Sequence, residues 1–357
     1  MSVLIPALSF LFVSACITLP HRESSPVQRI AFGSCFQSDG PSEIWDTIAD
    51  YDPELFILLG DNIYADTEDM QVMRGKYARL DSVEGFARLR TSATILATWD
   101  DHDYGVNDGG ADYPMRKEAQ QVFLDFLRVP KESARRKREG IFHARILGSP
   151  GQRVQVILLD TRYFRGPLML RAKRSNPALG TGGPYRPNTD PEVTVLGEAQ
   201  WKWLEDELRK PAELRILASS IQLAAEDHAW EAWINFPLER KRLLETIRGT
   251  GAEGVIAISG DRHKAEISIL DPARAKPGSA VDTGYPLIDV TSSSLNRPST
   301  WYNEVNRHRV GSVYHAENFG TIEVDWKSAG LVLAIRSLAG AEVIRYEVSL
   351  HDLARRE

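Results

Sequence analysis

Residues 55–66 read LFILLGDNIYAD, five apolar residues followed by a glycine and then by acidic and phenolic side chains. A short apolar run that ends at a turn signal is typical of a strand buried within a sheet. The same arrangement occurs in runs that end at Cys35, at residues 100–103 and at residues 261–263. Sites in open α/β sheets form outside the carboxyl ends of the strands, so we expect these polar ends to converge on one rim.

The rest of the chain alternates short β-branched runs with helical patterns, which predicts a single α/β layered domain over residues 28–357. The predicted strands are residues 28–34, 55–60, 94–99, 153–160, 214–220, 254–260, 285–291, 321–326, 331–337 and 342–349. The predicted helices are residues 42–49, 69–80, 114–128, 197–209 and 237–248. We interpret residues 165–192 as a long surface loop and the basic run 135–138 as a solvated turn rather than a binding patch.

Composition excludes several classes of protein. The 357 residues are 43% hydrophobic and 26% charged, which is ordinary for a globular chain and excludes collagen-like, coiled-coil and largely disordered proteins. The net charge of −6 argues against binding to a phosphate backbone, so we expect no nucleic-acid-binding module. Two cysteines, Cys16 and Cys35, are too few for a disulfide framework or a structural zinc knuckle.

The N-terminus contains an apolar run, residues 3–13, followed by Val-Ser-Ala-Cys at 13–16. This run is too short to span a hydrocarbon core of about 30 Å, and it has the length of a signal-peptide core. The residues before Cys16 resemble a bacterial lipobox, in which that cysteine is acylated, and residues 17–27 would form a tether. We therefore expect export, with membrane contact only through the lipid anchor. No Lys or Arg precedes Cys16, which leaves a plain cleaved signal or a misassigned start as the alternative.

Residues 100–103 read DDHD and are difficult to explain without a ligand. Three carboxylates within four residues after a buried strand repel one another, and desolvation increases the repulsion. Taken singly, Asp61 could be a turn or cap residue, Cys35 a small buried residue and His263 a core histidine. Four such strand ends in one chain favour a metal site.

The softness of the side chains suggests two unlike metals. Cys35, Tyr64 and His263 offer a thiolate, a phenolate and an imidazole, which suit a transition metal such as iron or zinc. Asp101 and Asp261 offer hard oxygens, which suit calcium or magnesium.

Spacing agrees with this interpretation. Tyr64 follows Asp61 by three positions, so a helical turn after the strand would direct both at one point. His263 follows Asp261 by two positions, so both would project to the same side of extended backbone. Asp61 could bridge the two ions.

These residues resemble the alkaline phosphatase D (PhoD-like) family of metallophosphatases over roughly residues 28–295. The matching motifs are Gly33-Ser34-Cys35, Gly60-Asp61-Asn62-Ile63-Tyr64-Ala65-Asp66, Trp99-Asp100-Asp101-His102-Asp103 with Asn107-Asp108, Asp160-Thr161-Arg162 and Gly260-Asp261-Arg262-His263, with weaker matches at 196–201 and 291–293. The resemblance implies a four-layer αββα sandwich. It also implies hydrolysis of phosphate monoesters or diesters by a metal-bound hydroxide at a dinuclear site. Many relatives carry an N-terminal β-sandwich and some a C-terminal lid helix, and we expect neither here.

The resemblance also implies the ligands of each ion. Fe(III) or another transition metal would be held by Cys35, Asp61, Tyr64 and His263. Ca(II) or Mg(II) would be held by Asp61, Asp101 and Asp261.

Further residues are candidates for contact with the substrate. The resemblance gives His102 the role of assisting the leaving group. We expect Arg162 to contact the phosphate, the alternative being a salt bridge to Asp160 or to a carboxylate at the rim. Asn107 and Asp108 are further substrate-binding candidates.

Two other functions stay open from the sequence. Cys35 could be a thiolate nucleophile with His102 or His263 as its base, although this leaves the carboxylates unexplained. The protein could instead be a surface lipoprotein that binds phosphorylated ligands or metal without turnover. The favoured function is an exported phosphoesterase, expected to be monomeric, that acts on a small phosphate ester.

Overall fold

The computed structural model describes residues 25–172, 182–274, 283–299 and 304–355. Its strands are β1 (Arg29–Gly33), β2 (Leu55–Leu59), β3 (Thr94–Thr98), β4 (His143–Leu147), β5 (Val154–Leu158), β6 (Met169–Leu170), β7 (Tyr185–Arg186), β8 (Leu214–Ala218), β9 (Val255–Ser259), β10 (Ala265–Leu270), β11 (Leu287–Ser292), β12 (Arg309–Tyr314), β13 (Asn318–Asp325), β14 (Gly330–Ser337) and β15 (Glu342–Ser349). Its α-helices are α1 (Ile44–Tyr51), α2 (Met70–Asp81), α3 (Glu84–Ser92), α4 (Asp101–Tyr104), α5 (Arg116–Phe126), α6 (Gly197–Leu208) and α7 (Pro237–Thr250). Within these ranges no helix is both long and apolar enough to cross a bilayer.

The strands form two large mixed sheets. The first has the order β15-β14-β13-β1-β2-β3, in which β1, β2 and β3 are parallel and β13 pairs antiparallel with β1. The second has the order β12-β10-β11-β9-β8-β5-β4, in which the four strands β11, β9, β8 and β5 are parallel. Each sheet therefore has a block of parallel strands whose carboxyl ends share an edge.

Each sheet is covered on both faces. Along β2, Leu55, Ile57 and Leu59 join a core cluster that contains strands of both sheets and the apolar faces of α6 and α7. The alternate residues Phe56 and Leu58 pack into a second cluster with α1, α2, α3 and α5. This alternation is what period-two side chains of a buried strand produce. The layers are helices, sheet, sheet and helices, which confirms the predicted αββα sandwich.

The predicted elements are present, with ends shifted by a few residues, and the described residues add seven further strands and α-helices. The additional elements are α3, α4, β4, β6, β7, β10 and β12. In β10 a fully buried glutamate, Glu266, interrupts the apolar run, and in β12 Gly311 weakens the β-branched pattern. Neither segment is therefore a continuous apolar run, which is the pattern that identified the buried strands in the sequence.

The two predicted loops are corrected by the structure. Within 165–192, the described residues include the β6–β7 hairpin and the buried side chains of Arg165 and Tyr185, so this stretch is more than a surface excursion. The basic run is packed on the protein: Arg136 pairs with Asp125 at 2.9 Å, and Arg138 lies 3.8 Å from the ring centroid of Phe142. The predicted signal, lipobox and Cys16 lie outside the described residues.

Candidate metal centre

The carboxyl ends of the parallel strands meet at one rim shared by both sheets. The residues that follow them are Cys35 after β1, Asp61 after β2, Asp100 and Asp101 after β3, Asp261 and His263 after β9, and Ser293 after β11. The loops after β1 and β9 touch, since a Cβ at Gly260 would lie 2.5 Å from Ser34 Oγ. Only glycine permits this approach. The convergence expected from the sequence is therefore observed.

The first cluster is centred on Asp61. The Tyr64 hydroxyl donates to Asp61 Oδ2 at 3.0 Å and lies 3.0 Å from His263 Nε2. The Cys35 thiol donates to the same carboxylate oxygen at 3.4 Å. One ligand atom each from Cys35, Asp61 and His263 lies within 4.8 Å of the others. The structure thus brings together all four residues proposed for the transition metal.

Backbone conformation, rather than the expected spacing, brings these side chains together. Cys35, Asp61, Asp261 and His263 all have left-handed backbone, with φ between 49° and 66°. No helical turn follows Asp61, and the backbone from Asp261 to His263 is not extended, so both spacing arguments were wrong. Left-handed backbone costs a residue other than glycine about 1–3 kcal/mol and is concentrated at functional sites.

The second cluster consists of carboxylates. Asp100, Asp101 and Asp261 place one oxygen each within 4.8 Å of the others, and Asp101 also forms such a group with Asp61 and His102. Asp101 therefore lies between the two clusters. Asp261 belongs to the carboxylate cluster and His263 to the first, so the two residues of that motif serve different halves of the centre.

The pKa values of these carboxylates show how far their surroundings oppose a negative charge when no cation is bound. Burial raises the pKa of Asp261 to about 8 and that of Asp100 well above its usual range. Burial would also raise the pKa of Asp101, but Arg162 and His102 lower it to about 2. Two of the three acids are thus held in an environment that opposes their ionised form.

The residues present fit a pair of metal ions. The buried Asp100 Oδ2 accepts no hydrogen bond from any described residue, and burial followed by the charges of Cys35 and Asp101 raises the pKa of Asp61. A divalent cation would offset the negative charge of buried carboxylates that lie this close together. The first cluster adds a thiol, a phenol and an imidazole to its carboxylate, whereas the second offers oxygen alone. This difference suits a transition metal beside a hard cation.

Arg162 does not face the solvent, although a residue that contacts the substrate phosphate is expected to do so. Its side chain is 0% exposed, and its guanidinium pairs with Asp100 at 2.5 Å and with Glu231 at 2.7 Å. The nearest oxygen of Asp101 lies 3.8 Å away. The alternative interpretation, a salt bridge to a carboxylate at the rim, describes this placement, because the guanidinium lies between two buried carboxylates. Arg162 offsets part of the negative charge of the carboxylate cluster.

His102 lies at the border of the centre with part of its ring accessible. Its Nδ1 lies 2.6 Å from Asp66 Oδ1, and its side chain is 17% exposed. Burial opposes the imidazolium, but the hydrogen bond to Asp66 and the charges of Asp61 and Asp101 outweigh it and raise the pKa of His102 to about 10. Asp66, the last residue of the motif that begins at Gly60, therefore orients this ring.

The remaining substrate-binding candidates differ in their surroundings. Asn107 is exposed on the loop after α4. The Asp108 backbone N–H donates to Asp101 Oδ2 at 2.7 Å, and its carboxylate accepts from the Tyr185 hydroxyl. Asp108 also lies with Asp101 and Glu231 in a third acidic group. Glu231, which the sequence analysis missed, comes from a loop without a recognisable motif.

Two further residues hold the ligand loops. Ser293 Oγ lies 3.2 Å from Cys35 Sγ and accepts from the His263 N–H at 2.8 Å. Asp103 accepts from the N–H groups of Asp61 at 3.2 Å and Asp100 at 2.6 Å, so it fixes the loops after β2 and β3 relative to each other. Both residues belong to motifs that match the family. Their roles depend on the positions of backbone N–H donors, which cannot be read from a sequence.

Two stacked mixed sheets with metal-competent side chains at their shared rim define a protein of the metallophosphatase fold. The fold is similar to the solved structure of PhoD, with a TM-score of 0.68 and 18% identity over 92% of this chain and 69% of that one. It is also similar to the purple acid phosphatase PPD1 from yellow lupin (Lupinus luteus) seeds, with a TM-score of 0.59 and 15% identity over 92% of this chain and 55% of that one.

Residues 30–332 match the model of the PhoD-like phosphatase family, and the chain belongs to that family. It is 22% identical over 293 residues to alkaline phosphatase D of Bacillus subtilis (strain 168), a match that covers 71% of this chain and 49% of that protein. The chain thus spans about half the length of this curated relative.

Proposed function

We propose that the protein hydrolyses small phosphate esters at a dinuclear metal centre. The observation that carries the proposal is the arrangement around Asp61, where Cys35, Tyr64 and His263 lie on one side and Asp101 on the other. Family membership supports the reaction class, and the donor set supports the pair of metals.

We assign the transition-metal site, Fe(III) in the first instance, to Cys35, Asp61, Tyr64 and His263. The Ca(II) or Mg(II) site is assigned to Asp61, Asp101 and Asp261, and the structure adds Asp100 as a neighbour. When bound, such ions neutralise phosphoryl charge and supply a nucleophile at neutral pH.

The chain's own residues then position the reactants. Asp61 faces both clusters, and Arg162 holds the neighbouring Asp100 in place. His102, charged through its contact with Asp66, carries a proton for the departing alkoxide. Asn107 and Asp108 border the carboxylate cluster as candidates for contact with the ester group.

The thiol-hydrolase alternative is disfavoured by the surroundings of Cys35. The side chain is fully buried, and burial raises its pKa to about 11 despite its hydrogen bonds with Ser293 and Ser34. A nucleophilic cysteine instead needs a lowered pKa and access to its substrate. His263 and His102 make no described hydrogen bond to the thiol.

The direct test is hydrolysis of p-nitrophenyl phosphate and bis-p-nitrophenyl phosphate by purified protein, with and without a chelator, alongside elemental analysis. Chelator-sensitive hydrolysis with a transition metal and calcium or magnesium bound supports the proposal. Activity that survives complete metal removal would instead favour the mechanism in which the Cys35 thiolate is the nucleophile. Metal and phosphate binding without hydrolysis of either ester would leave the binding-protein alternative.

We also propose that the chain is exported, anchored through Cys16 and active as a monomer. One acyl chain binds membranes only marginally, so stable anchoring requires more than one. Fractionation of cells that produce the wild type and Cys16→Ser tests this: the variant is expected in the soluble fraction or unprocessed. Unprocessed wild type in the cytoplasm would refute export.

A further inference from the structure

The centre needs a cation that can reach a phosphate, and its buried arginines cannot supply one. The carboxylates of Asp61, Asp100, Asp101, Asp108, Asp261 and Glu231 crowd the rim. Arg162 and Arg165 are both committed to Glu231, with contacts of 2.7 and 3.1 Å. Arg262 is committed to Glu304, which accepts from its Nη2, and to Asp261 at 3.5 Å.

Arg297 is different from these three arginines. Its guanidinium carbon lies 3.9 Å from the centroid of the Tyr64 ring, the ring whose hydroxyl contacts both Asp61 and His263. The side chain is half-buried, and within the described ranges no carboxylate lies within salt-bridge distance of it. Its charge is therefore available to an anion that approaches the centre from solvent.

The backbone around Arg297 is fixed to the loops that carry the metal ligands. On one side, the Asn296 N–H donates to the Cys35 carbonyl at 3.3 Å, and the Asn296 side chain makes hydrogen bonds of 2.7 and 2.9 Å with the Gln37 backbone. On the other side, the Ser299 N–H donates to the His263 carbonyl at 2.9 Å. Pro298 further restricts Arg297 to extended backbone. The backbone of Arg297 is thus fixed beside the centre by hydrogen bonds that do not use its guanidinium, which stays on the Tyr64 ring.

His102 lies on the same aromatic ring. The His102 and Tyr64 ring centroids are 4.4 Å apart, so an imidazole and a guanidinium both contact Tyr64. Both groups are partly accessible, in contrast to Arg162. A phosphoryl group that reaches the centre from solvent therefore meets these two groups at its edge.

We propose that Arg297 is the substrate-binding cation of the centre and contacts the nonbridging oxygens of the phosphoryl group. This inference rests on the proposed function and replaces the expected role of Arg162. Guanidinium matches two phosphoryl oxygens at once, which an ammonium group does not, so lysine should substitute only in part.

The test uses inorganic phosphate as the probe and the metal-loaded full chain as the protein, with affinity measured by calorimetry. Arg297→Ala and Arg297→Gln are expected to weaken phosphate binding by about 10- to 100-fold with bound metal unchanged, which corresponds to loss of charge-assisted hydrogen bonds. Arg297→Lys should lie between these variants and the wild type. If esters are hydrolysed, KM should rise in the same order.

The matched control is Arg336→Ala, which removes another arginine stacked on a tyrosine: Arg336 of β14 lies 4.8 Å from the ring centroid of Tyr51 in α1. It should leave phosphate affinity unchanged. Phosphate affinity within twofold of wild type in Arg297→Gln, or loss of metal in both neutral variants, would overturn the inference, as would a wild type that binds no phosphate. Arg297-dependent phosphate binding without ester hydrolysis would instead refute the proposed function and leave this inference standing.

Discussion

At the scale of single residues, two buried aspartates, each directly after a strand, have opposite surroundings. Asp160 accepts from four donors, the Trp99 indole and the N–H groups of Ile141, Arg162 and Tyr163. Asp61 instead faces a thiol, a phenol and other carboxylates. A satisfied carboxylate stabilises a loop, whereas one among competing acids is suited to a cation.

We therefore expect Asp61→Asn to lose both metals and at least about a hundredfold in kcat/KM, since metal ions contribute several kcal/mol of charge stabilisation. Asp160→Asn should lower the free energy of unfolding while its folded fraction keeps the wild-type metal content. Elemental analysis and urea unfolding distinguish the two. Retention of both metals by Asp61→Asn would contradict its bridging role.

His102→Gln should affect esters according to their leaving groups. A proton donor contributes about 10²–10⁴ in rate where the leaving alkoxide is a strong base, and little where it is nitrophenolate. We expect kcat for an alkyl phosphate to fall by about a hundredfold or more, and for p-nitrophenyl phosphate by less than tenfold. His143→Gln, on edge strand β4, is the control and should change neither. Equal losses for both esters would remove His102 from this role.

At the scale of elements, the loops after β2 and β3 are joined through Asp103. Its carboxylate accepts from two backbone N–H groups named above, from the Asn62 N–H and side chain, and from the Tyr77 hydroxyl at 3.3 Å. An asparagine at this position would replace one accepting carboxylate oxygen by an NH₂ group. The two N–H donors of that group would then face other hydrogen-bond donors.

Asp103→Asn is expected to lower the free energy of unfolding by about 1–3 kcal/mol, because buried donors lose their acceptor, and to weaken metal binding at Asp61. Tyr77→Phe removes a single donor and should cost about 0.5–1.5 kcal/mol with metal affinity unchanged. Urea unfolding and metal titration provide both quantities. Wild-type stability of Asp103→Asn would show that the two loops are held by other contacts.

Strands and helices were predictable from the sequence where a single hydrophobic pattern dominates the segment. The β2 run LFILL and the α6 face with Trp201, Leu204 and Leu208 are buried as their patterns indicate. β10 was not predictable, because Glu266 is stabilised in the core by Lys264 at 3.5 Å and by Arg309 from β12, a partner distant in sequence. The contact of Arg162 with Glu231 was not predictable for a related reason, because Glu231 lies in a loop that no local pattern connects to β5.

At the scale of the whole molecule, a buried histidine couples stability to pH. His228 is fully buried, its Nε2 lies 3.1 Å from Gln222 Oε1, and its Nδ1 accepts from the Trp230 N–H. Burial lowers its pKa from 6.5 to about 3. Between these values the unfolded chain binds a proton that the folded protein does not, so stability is complete above pH 6.5 and decreases as the pH falls towards 3.

For this residue the free energy of unfolding should fall by up to about 1.4 kcal/mol per pH unit across that window. His228→Asn keeps an acceptor for Trp230 and cannot titrate, so its stability should decrease less steeply between pH 6.5 and 4.5. The exposed His351→Gln serves as the control and should follow the wild type. Equal slopes for all three proteins, measured by urea unfolding at several pH values, would contradict the prediction.

The position of β1 between β2 and β13 has a consequence for the order of events during synthesis. A chain that emerges from its N-terminus presents Cys35 and Asp61 long before His263 and before β13, the strand that completes the sheet around β1. The ligand set is therefore incomplete until His263 is available and the sheet around β1 until β13 is available, so metal capture follows the first steps of folding rather than guiding them. Which metal a site takes depends on its geometry, on its ligand types and on which ions are available. The ions in the compartment where the last strands arrive, rather than where the first are made, therefore determine how the centre is filled.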